Sequence, residues 1–178
     1  MSEENKKDLP AVAGTMHPLS LLAQEAYQVF SLLGFEIATG PELESEWYNF
    51  DVLNVPKDHP ARDMQDTFFI KDREDHVLRT HTTSVTARAV EQAGKDGRIP
   101  CAFISIGKVF RNEATDSTHE MQFYQIDGVM VGENISIADM KGVLTHFYKK
   151  MLGKDVEIQF RPSFFPFTEP SIEVFAKF

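Results

Sequence analysis

Residues 101–131 read CAFISIGKVFRNEATDSTHEMQFYQIDGVMV, and this stretch decides the fold. Ala102 to Phe110 is almost unbroken in apolar residues, the pattern of a strand covered on both faces. A hydrophilic loop carrying Asp116 and His119 follows, and Gln122 to Val131 then alternates between two faces. Phe123, Gln125, Asp127 and Val129 fall on one face, Tyr124, Ile126 and Met130 on the other, so polar groups interrupt what should be an interior strand. Consecutive strands joined by loops and turns rather than by crossover helices favour antiparallel pairing.

Upstream, Leu19, Leu22, Ala23, Ala26, Phe30 and Leu33 are spaced as one face of a helix, with Pro18 suited to its first turn and Gly34 to its stop. Phe35 to Ala38 reads as a short strand, ended by Gly40-Pro41 before the acidic run Glu42, Glu44, Glu46. Thr67 to Ile70 is a second short strand, Asp72 to Asp75 a charged turn before Val77-Leu78, and Thr86 to Ala93 a helix ending at Gly94 and Gly97. Downstream, Ser136-Ile137-Ala138-Asp139 is a capping box with Asp in place of Glu, opening a helix through Met151 to Gly153. Val156, Ile158 and Phe160 alternate with polar residues; Ser171 to Phe178 alternates again and stops without a turn signal, as a strand cut midway would. The fold class is therefore α+β, an antiparallel β-sheet flanked by helices. One domain is expected over residues 17–178, behind a polar leader (1–16) expected to be disordered, with no internal repeat.

The composition fits one domain with its own core: 178 residues, 42% hydrophobic. No run of about 18 apolar residues occurs and the N-terminus is charged, so a cytoplasmic protein with no membrane partner is expected. The single Cys101 excludes a disulfide framework and a thiolate zinc site and reads as a buried structural thiol. A formal charge of −9 runs against unaided nucleic-acid binding, where Lys and Arg must neutralise phosphates.

There is no Gly-x-x-x-x-Gly-Lys loop, Gly-x-Gly-x-x-Gly, Gly-x-Ser-x-Gly or His-Glu-x-x-His. Four polar or aromatic clusters remain. Arg79-Thr80-His81-Thr82-Thr83-Ser84 sets a cation, an imidazole and four hydroxyls after an apolar strand; these suit the carboxylate and amine of a small ligand, or Thr83 or Ser84 caps the following helix, and both readings stand. Arg111, leaving an apolar strand, could clamp a phosphate with its planar fork or pair with Glu113 at the surface, and spacing alone favours the surface pair. Gln125 and Asp127 lie beside Phe123 on one face; if that face is covered, they call for a cation and hydrogen-bond donors. Phe164-Phe165-Pro166-Phe167 stiffens three aromatics with proline, as core or as a rigid aromatic pocket.

Taken together, Asn49-Phe50-Asp51-Val52-Leu53, His59 to Phe68 (HPARDMQDTF), Arg79 to Thr83, Gly107 to Glu113 (GKVFRNE) and Arg161 to Ser171 (RPSFFPFTEPS) resemble the α subunit of phenylalanyl-tRNA synthetase, a class II aminoacyl-tRNA synthetase, in the family's order over about residues 17–175. The His81-Thr82-Thr83 and Arg111-Asn112-Glu113 versions resemble the archaeal and eukaryotic cytosolic branch. The resemblance implies phenylalanine, ATP with Mg2+, and tRNA(Phe) as ligands, and a β subunit in a heterotetramer. It assigns Arg111 to the α-phosphate as the catalytic cation, Glu113 to the adenine amine, His119 to a distal phosphate and Phe123 to the adenine face. His81, Thr83, Gln125 and Asp127, with Gln65 nearby, would hold phenylalanine's polar end, and Phe165 and Phe167 would meet its ring. Two departures stand out: Asp127 replaces the family's usual Glu, and the glycine-rich third class II motif does not occur, so this chain alone is expected to be inactive or nearly so. A class II synthetase for another amino acid, or a non-catalytic paralogue binding an aromatic amino acid or a partner subunit, are the rival readings.

Overall fold

The computed structural model describes residues 14–63, 66–114, 116–117 and 119–177. Strands β5 (Cys101–Phe110) and β6 (Gln122–Val131) pair antiparallel in unbroken register from Cys101 opposite Val131 to Phe110 opposite Gln122. Directly opposed residues share a face. Phe103, Ser105, Gly107 and Val109 therefore stand beside Val129, Asp127, Gln125 and Phe123, and the covered face and the polar face of the sequence are one surface.

Helix α3 (Thr83–Lys95) packs on that surface through Val85 and Ala93, which meet Ala38 and Phe103 with Val129 at the margin. On the opposite surface Phe30 of α1 (Pro18–Leu32) and Phe147 of α4 (Ile137–Leu152) stack at 4.9 Å and enclose Ile104 and Phe35. The capping box of α4 is present: the Ser136 N–H donates to Asp139 Oδ2 at 2.8 Å. The two-residue β1 (Glu36–Ile37) joins β5 in parallel, so the sheet is not purely antiparallel as expected.

A second small sheet orders β2 (Leu43–Ser45), β4 (Arg73–Leu78) and β3 (Phe69–Ile70), all antiparallel. Residues 73–75 belong to β4, so the charged turn expected over Asp72 to Asp75 falls at Lys71-Asp72 instead, where the pairing of Arg73 with Ile70 of β3 closes it. Helix α3 starts at Thr83, earlier than Thr86, because Gln125 satisfies the N–H of Thr82 at its mouth. Between β2 and β3 lie α2 (Glu46–Asn49) and two 3-10 turns, Asp51–Leu53 and Pro60–Arg62, too short for periodicity to reveal. The third unit is the hairpin β7 (Glu157–Phe165) and β8 (Thr168–Lys177), with Pro166-Phe167 at its tip. Residues 1–13 and Phe178, and with them most of the expected leader, lie outside the described residues. Among those described, no helix is long and apolar enough to cross a membrane.

Two buried charged groups tie the two three-stranded sheets and α3 together. The Arg79 side chain donates from Nε to the Lys108 carbonyl at 2.8 Å and from Nη1 to the carbonyls of Gly40 and Pro41 at 3.1 and 3.2 Å. Glu44, fully buried, accepts from Arg88 Nε at 2.9 Å, joining β2 to α3, and Arg88 lies over the Tyr48 ring. The Arg79 guanidinium occupies the space a Cβ on Gly107 would fill. With its donors committed to three carbonyls it cannot swing aside cheaply. Gly107→Ala is accordingly expected to lower the unfolding free energy by roughly 2 kcal/mol, read as a fall in urea midpoint at unchanged m-value.

Candidate functional site

A cavity of about 800 Å³ opens between the N-terminus of α3, the polar face of β6 and the tip of the β7–β8 hairpin. His81, Thr83 and Asp127 line its polar side, Phe50, Val55 and Phe167 its apolar side. Arg111 and Glu113 lie on its wall where β5 ends.

The polar side follows from strand period and helix start. Asp127 Oδ1 accepts from the Thr83 hydroxyl at 3.2 Å and Oδ2 from the Thr86 hydroxyl at 2.5 Å. Burial pushes the Asp127 carboxyl above the usual carboxylate range, and the two hydroxyl bonds pull back against that. Gln125 turns its Oε1 to the Thr82 N–H at 3.2 Å, using one of the N–H groups that a helix start leaves without an internal partner. Gln125 thus frames the helix start and is not itself on the cavity lining.

His81 is set by Asn49. Because a carbonyl only accepts, the 2.8 Å contact between His81 Nε2 and the Asn49 carbonyl places the ring proton on Nε2. Nδ1 then carries a lone pair, and it is buried with no protein partner. Burial, helped by the Arg111 charge and opposed by the Asn49 carbonyl, lowers the His81 pKa to about 4, so the ring is neutral at physiological pH. The wholly buried Asn49 side chain braces the same turn, accepting from the Thr80 N–H at 3.2 Å and donating to the Thr80 hydroxyl at 3.1 Å.

Arg111 points its Nε at the Thr80 carbonyl, 3.4 Å away, with its guanidinium 4.9 Å from the centre of the Phe123 ring. The surface pair with Glu113 that spacing favoured does not occur among the ion pairs of the described residues; both side chains belong to the cavity wall instead. Phe167 meets the His59 ring edge-on at 5.7 Å. Phe165 lies behind Phe167 at 6.1 Å, 37% exposed and off the cavity wall. His119 is held by Asp116 at 2.9 Å in the exposed loop before β6, also off the wall. Gln65 lies outside the described residues.

Sequence reasoning missed Asn49, His59, Asp66 and Thr86. Thr86 had a readable signal, since hydroxyls at 83 and 86 are three apart and share a helix face. Asn49 ends the four-residue α2 and His59 caps a three-residue 3-10 turn, elements too short for spacing to carry facing information.

The tRNA synthetases class II core domain (F) model matches residues 6–178. The chain is 51% identical over 165 residues to the phenylalanine-tRNA ligase alpha subunit of Bacillus mycoides, covering 93% of this chain and 47% of that protein. It is 52% identical over 161 residues to the same-named subunit of Syntrophobacter fumaroxidans, covering 90% and 46%. The chain spans about half the length of the curated relatives it matches. A solved pyrrolysyl tRNA synthetase from Desulfitobacterium hafniense superposes with a TM-score of 0.67 at 13% identity, over 83% of this chain and 50% of that one, a likeness of fold alone. Both named relatives are bacterial, which runs against the branch read from the short His81 and Arg111 motifs.

The neutral, buried His81 makes stability depend on pH. Its folded pKa of about 4 lies below the ordinary histidine value of 6.5, so the unfolded chain binds more protons between these values. Stability is therefore lost as pH falls from 6.5 towards 4, by about 3 kcal/mol at the lower end. Asp127, with a raised carboxyl, works in the opposite direction, so the His81 share is the difference between wild type and His81→Leu. Urea unfolding of both at pH 7 and pH 4.5 should show a steeper loss in wild type.

Proposed function

We infer the function from one premise: the chain belongs to the class II tRNA synthetase core-domain family. The proposed activity is that of a phenylalanine-tRNA ligase, with this chain supplying the amino-acid pocket and part of the ATP site. Phenylalanine's carboxylate attacks the α-phosphorus of ATP, an acyl–oxygen–phosphorus bond forms as pyrophosphate leaves, and a hydroxyl of the terminal ribose of tRNA(Phe) then attacks the acyl carbon, taking the acyl group and releasing AMP. No enzyme nucleophile is needed; orientation and charge placement carry the rate.

One observation carries the reading. A single cavity holds an anion with hydroxyls at one end, a phenyl ring opposite and an arginine at the rim. In the proposed pose Asp127 and Thr83 receive the ammonium group, and the His81 Nδ1 lone pair accepts a further N–H. Phe167 meets the ring, with Phe165 supporting it from behind. Gln125 holds the helix start against Asp127, and Gln65 is assigned to the same polar end. Arg111 faces the α-phosphate, Glu113 the adenine amine and Phe123 the adenine face, with His119 near a distal phosphate. Among the described residues no cluster of three or more His, Cys, Asp or Glu side chains could cage a metal. Mg2+ would then travel with the ATP phosphates, and no step is assigned to it.

The name of the relatives, an alpha subunit, supports a β subunit as partner. The net charge of −9 supports a grip on tRNA made mostly by that partner or by residues outside this sequence.

Calorimetric titration tests the pocket. Phenylalanine should bind. Tyrosine should bind roughly 10- to 100-fold more weakly, because Phe50, Val55 and Phe167 offer its hydroxyl no hydrogen-bond partner. Phosphoserine should not bind, and Phe167→Ala should weaken phenylalanine by about tenfold. Equal affinity for phenylalanine and phosphoserine would sink the assignment.

A further inference from the structure

Asp127 belongs to the proposed pocket, yet the group that fixes its position lies outside the cavity wall. Thr86 is 1% exposed, one turn into α3, and does not line the cavity. Its hydroxyl oxygen stands 2.5 Å from Asp127 Oδ2 and 3.0 Å from the Thr83 carbonyl. A hydroxyl has one proton to give, and the nearer, charged oxygen is the stronger acceptor. Thr83 binds the other carboxylate oxygen at 3.2 Å. A carboxylate offers about four lone-pair sites, so two hydroxyls consume half of them and leave the remainder for the cavity.

We propose that Thr86 is a positioning residue: together with Thr83 it pins the Asp127 carboxylate against the first turn of α3, and this fixes where a ligand's amine must sit. The inference rests on the amino-acid reading of the pocket. Asp is one methylene shorter than Glu, so its oxygens cannot reach far from β6, and α3 comes to them with two hydroxyls on one face. The start of α3 adds its positive dipole end, which favours an anion there. The titratable groups lining the same cavity are His59, Asp66, His81, Arg111 and Glu113; β5 presents only Ser105 directly opposite Asp127. None of these groups forms a salt bridge with Asp127, so among the described residues its charge is held by hydroxyls alone.

Thr86→Val removes the hydroxyl at nearly constant volume, and Thr86→Ser keeps it. Two readouts separate the positioning role from the function it rests on. The first is the titration of the Asp127 carboxyl carbon by NMR in the ligand-free protein; the second is phenylalanine binding by calorimetry from pH 5 to pH 8. In Thr86→Val the carboxyl should titrate at higher pH than in wild type, because a bond that favours the charged form is gone. Phenylalanine affinity at pH 7 should fall by roughly tenfold, its loss on acidification should begin at higher pH, and Thr86→Ser should restore all three. Should valine not be accommodated, Thr86→Ala reports the same titration. An Asp127 titration unchanged by loss of the hydroxyl, or a serine variant that behaves like valine, overturns the proposal. If the titration moves as expected while wild type does not bind phenylalanine, the positioning role stands and the amino-acid reading fails.

Discussion

The position of the site depends on one buried cation. Arg79 lies just beyond the end of β4, is 5% exposed, and commits its guanidinium to carbonyls from two other segments, Lys108 in β5 and Gly40-Pro41 after β1. Its own backbone joins in, since Arg79 N–H donates to the Glu42 carbonyl and its carbonyl accepts from Phe110 N–H, both at 2.9 Å. The two sheets, otherwise separate in their ladders, are thereby held edge to edge. Burial lowers the Arg79 pKa while Glu42 and Glu44 resist, yet guanidinium stays charged at any physiological pH. A charge removed from water and met only by neutral carbonyls is a costly arrangement, and removing the charge would strand three carbonyls. The clamp is thus specific: no other side chain combines that reach with a planar fan of donors.

The same clamp holds the segment that comes next in the chain. Thr80, His81, Thr82 and Thr83 run from Arg79 into α3, so the cavity's imidazole and hydroxyls stand on a segment anchored at both ends. Asn49 fixes the middle of that segment, binding Thr80 twice and His81 once. Gly107 completes the logic: its missing side chain makes room for Arg79, and directly opposite it Gln125 reaches the Thr82 N–H. Polar residues at 125 and 127 are what an interior strand should not carry, and the start of α3 is what makes them tolerable.

Much of this was legible in sequence for identifiable reasons. The β5–β6 hairpin, α1 and α4 are long and periodic, so their apolar spacing decides them without tertiary help. The two faces of β6 were readable because strand period is rigid, although which face was covered depended on α3. Arg79 was grouped with the ligand cluster rather than recognised as a strut, since charge reads the same whether it meets a ligand or a carbonyl. The turn expected over 72–75 lies at 71–72, because Arg73 already pairs with Ile70 and local polarity does not show where a ladder begins. Glu44, buried completely, reads in sequence as one member of an acidic run, and Arg88, arriving from α3 with a sequence separation of 44, explains its burial.

The two ends of the cavity differ in how they are held. Its polar end belongs to the clamped body, while its ring-facing residue, Phe167, sits at the tip of a hairpin whose strands pair only with each other among the described residues. That hairpin meets the body through side chains: Phe167 packs against the cluster of Phe50, Val55 and Val77 and meets the His59 ring edge-on, and the Lys141 ammonium lies 5.5 Å from the Phe160 ring. The apolar wall is thus held by side-chain packing, where the polar wall is held by hydrogen bonds. One cavity therefore combines two kinds of restraint, a polar side fixed by hydroxyls of α3 on Asp127 and an apolar side fixed by the packing of Phe167 on Phe50 and Val55.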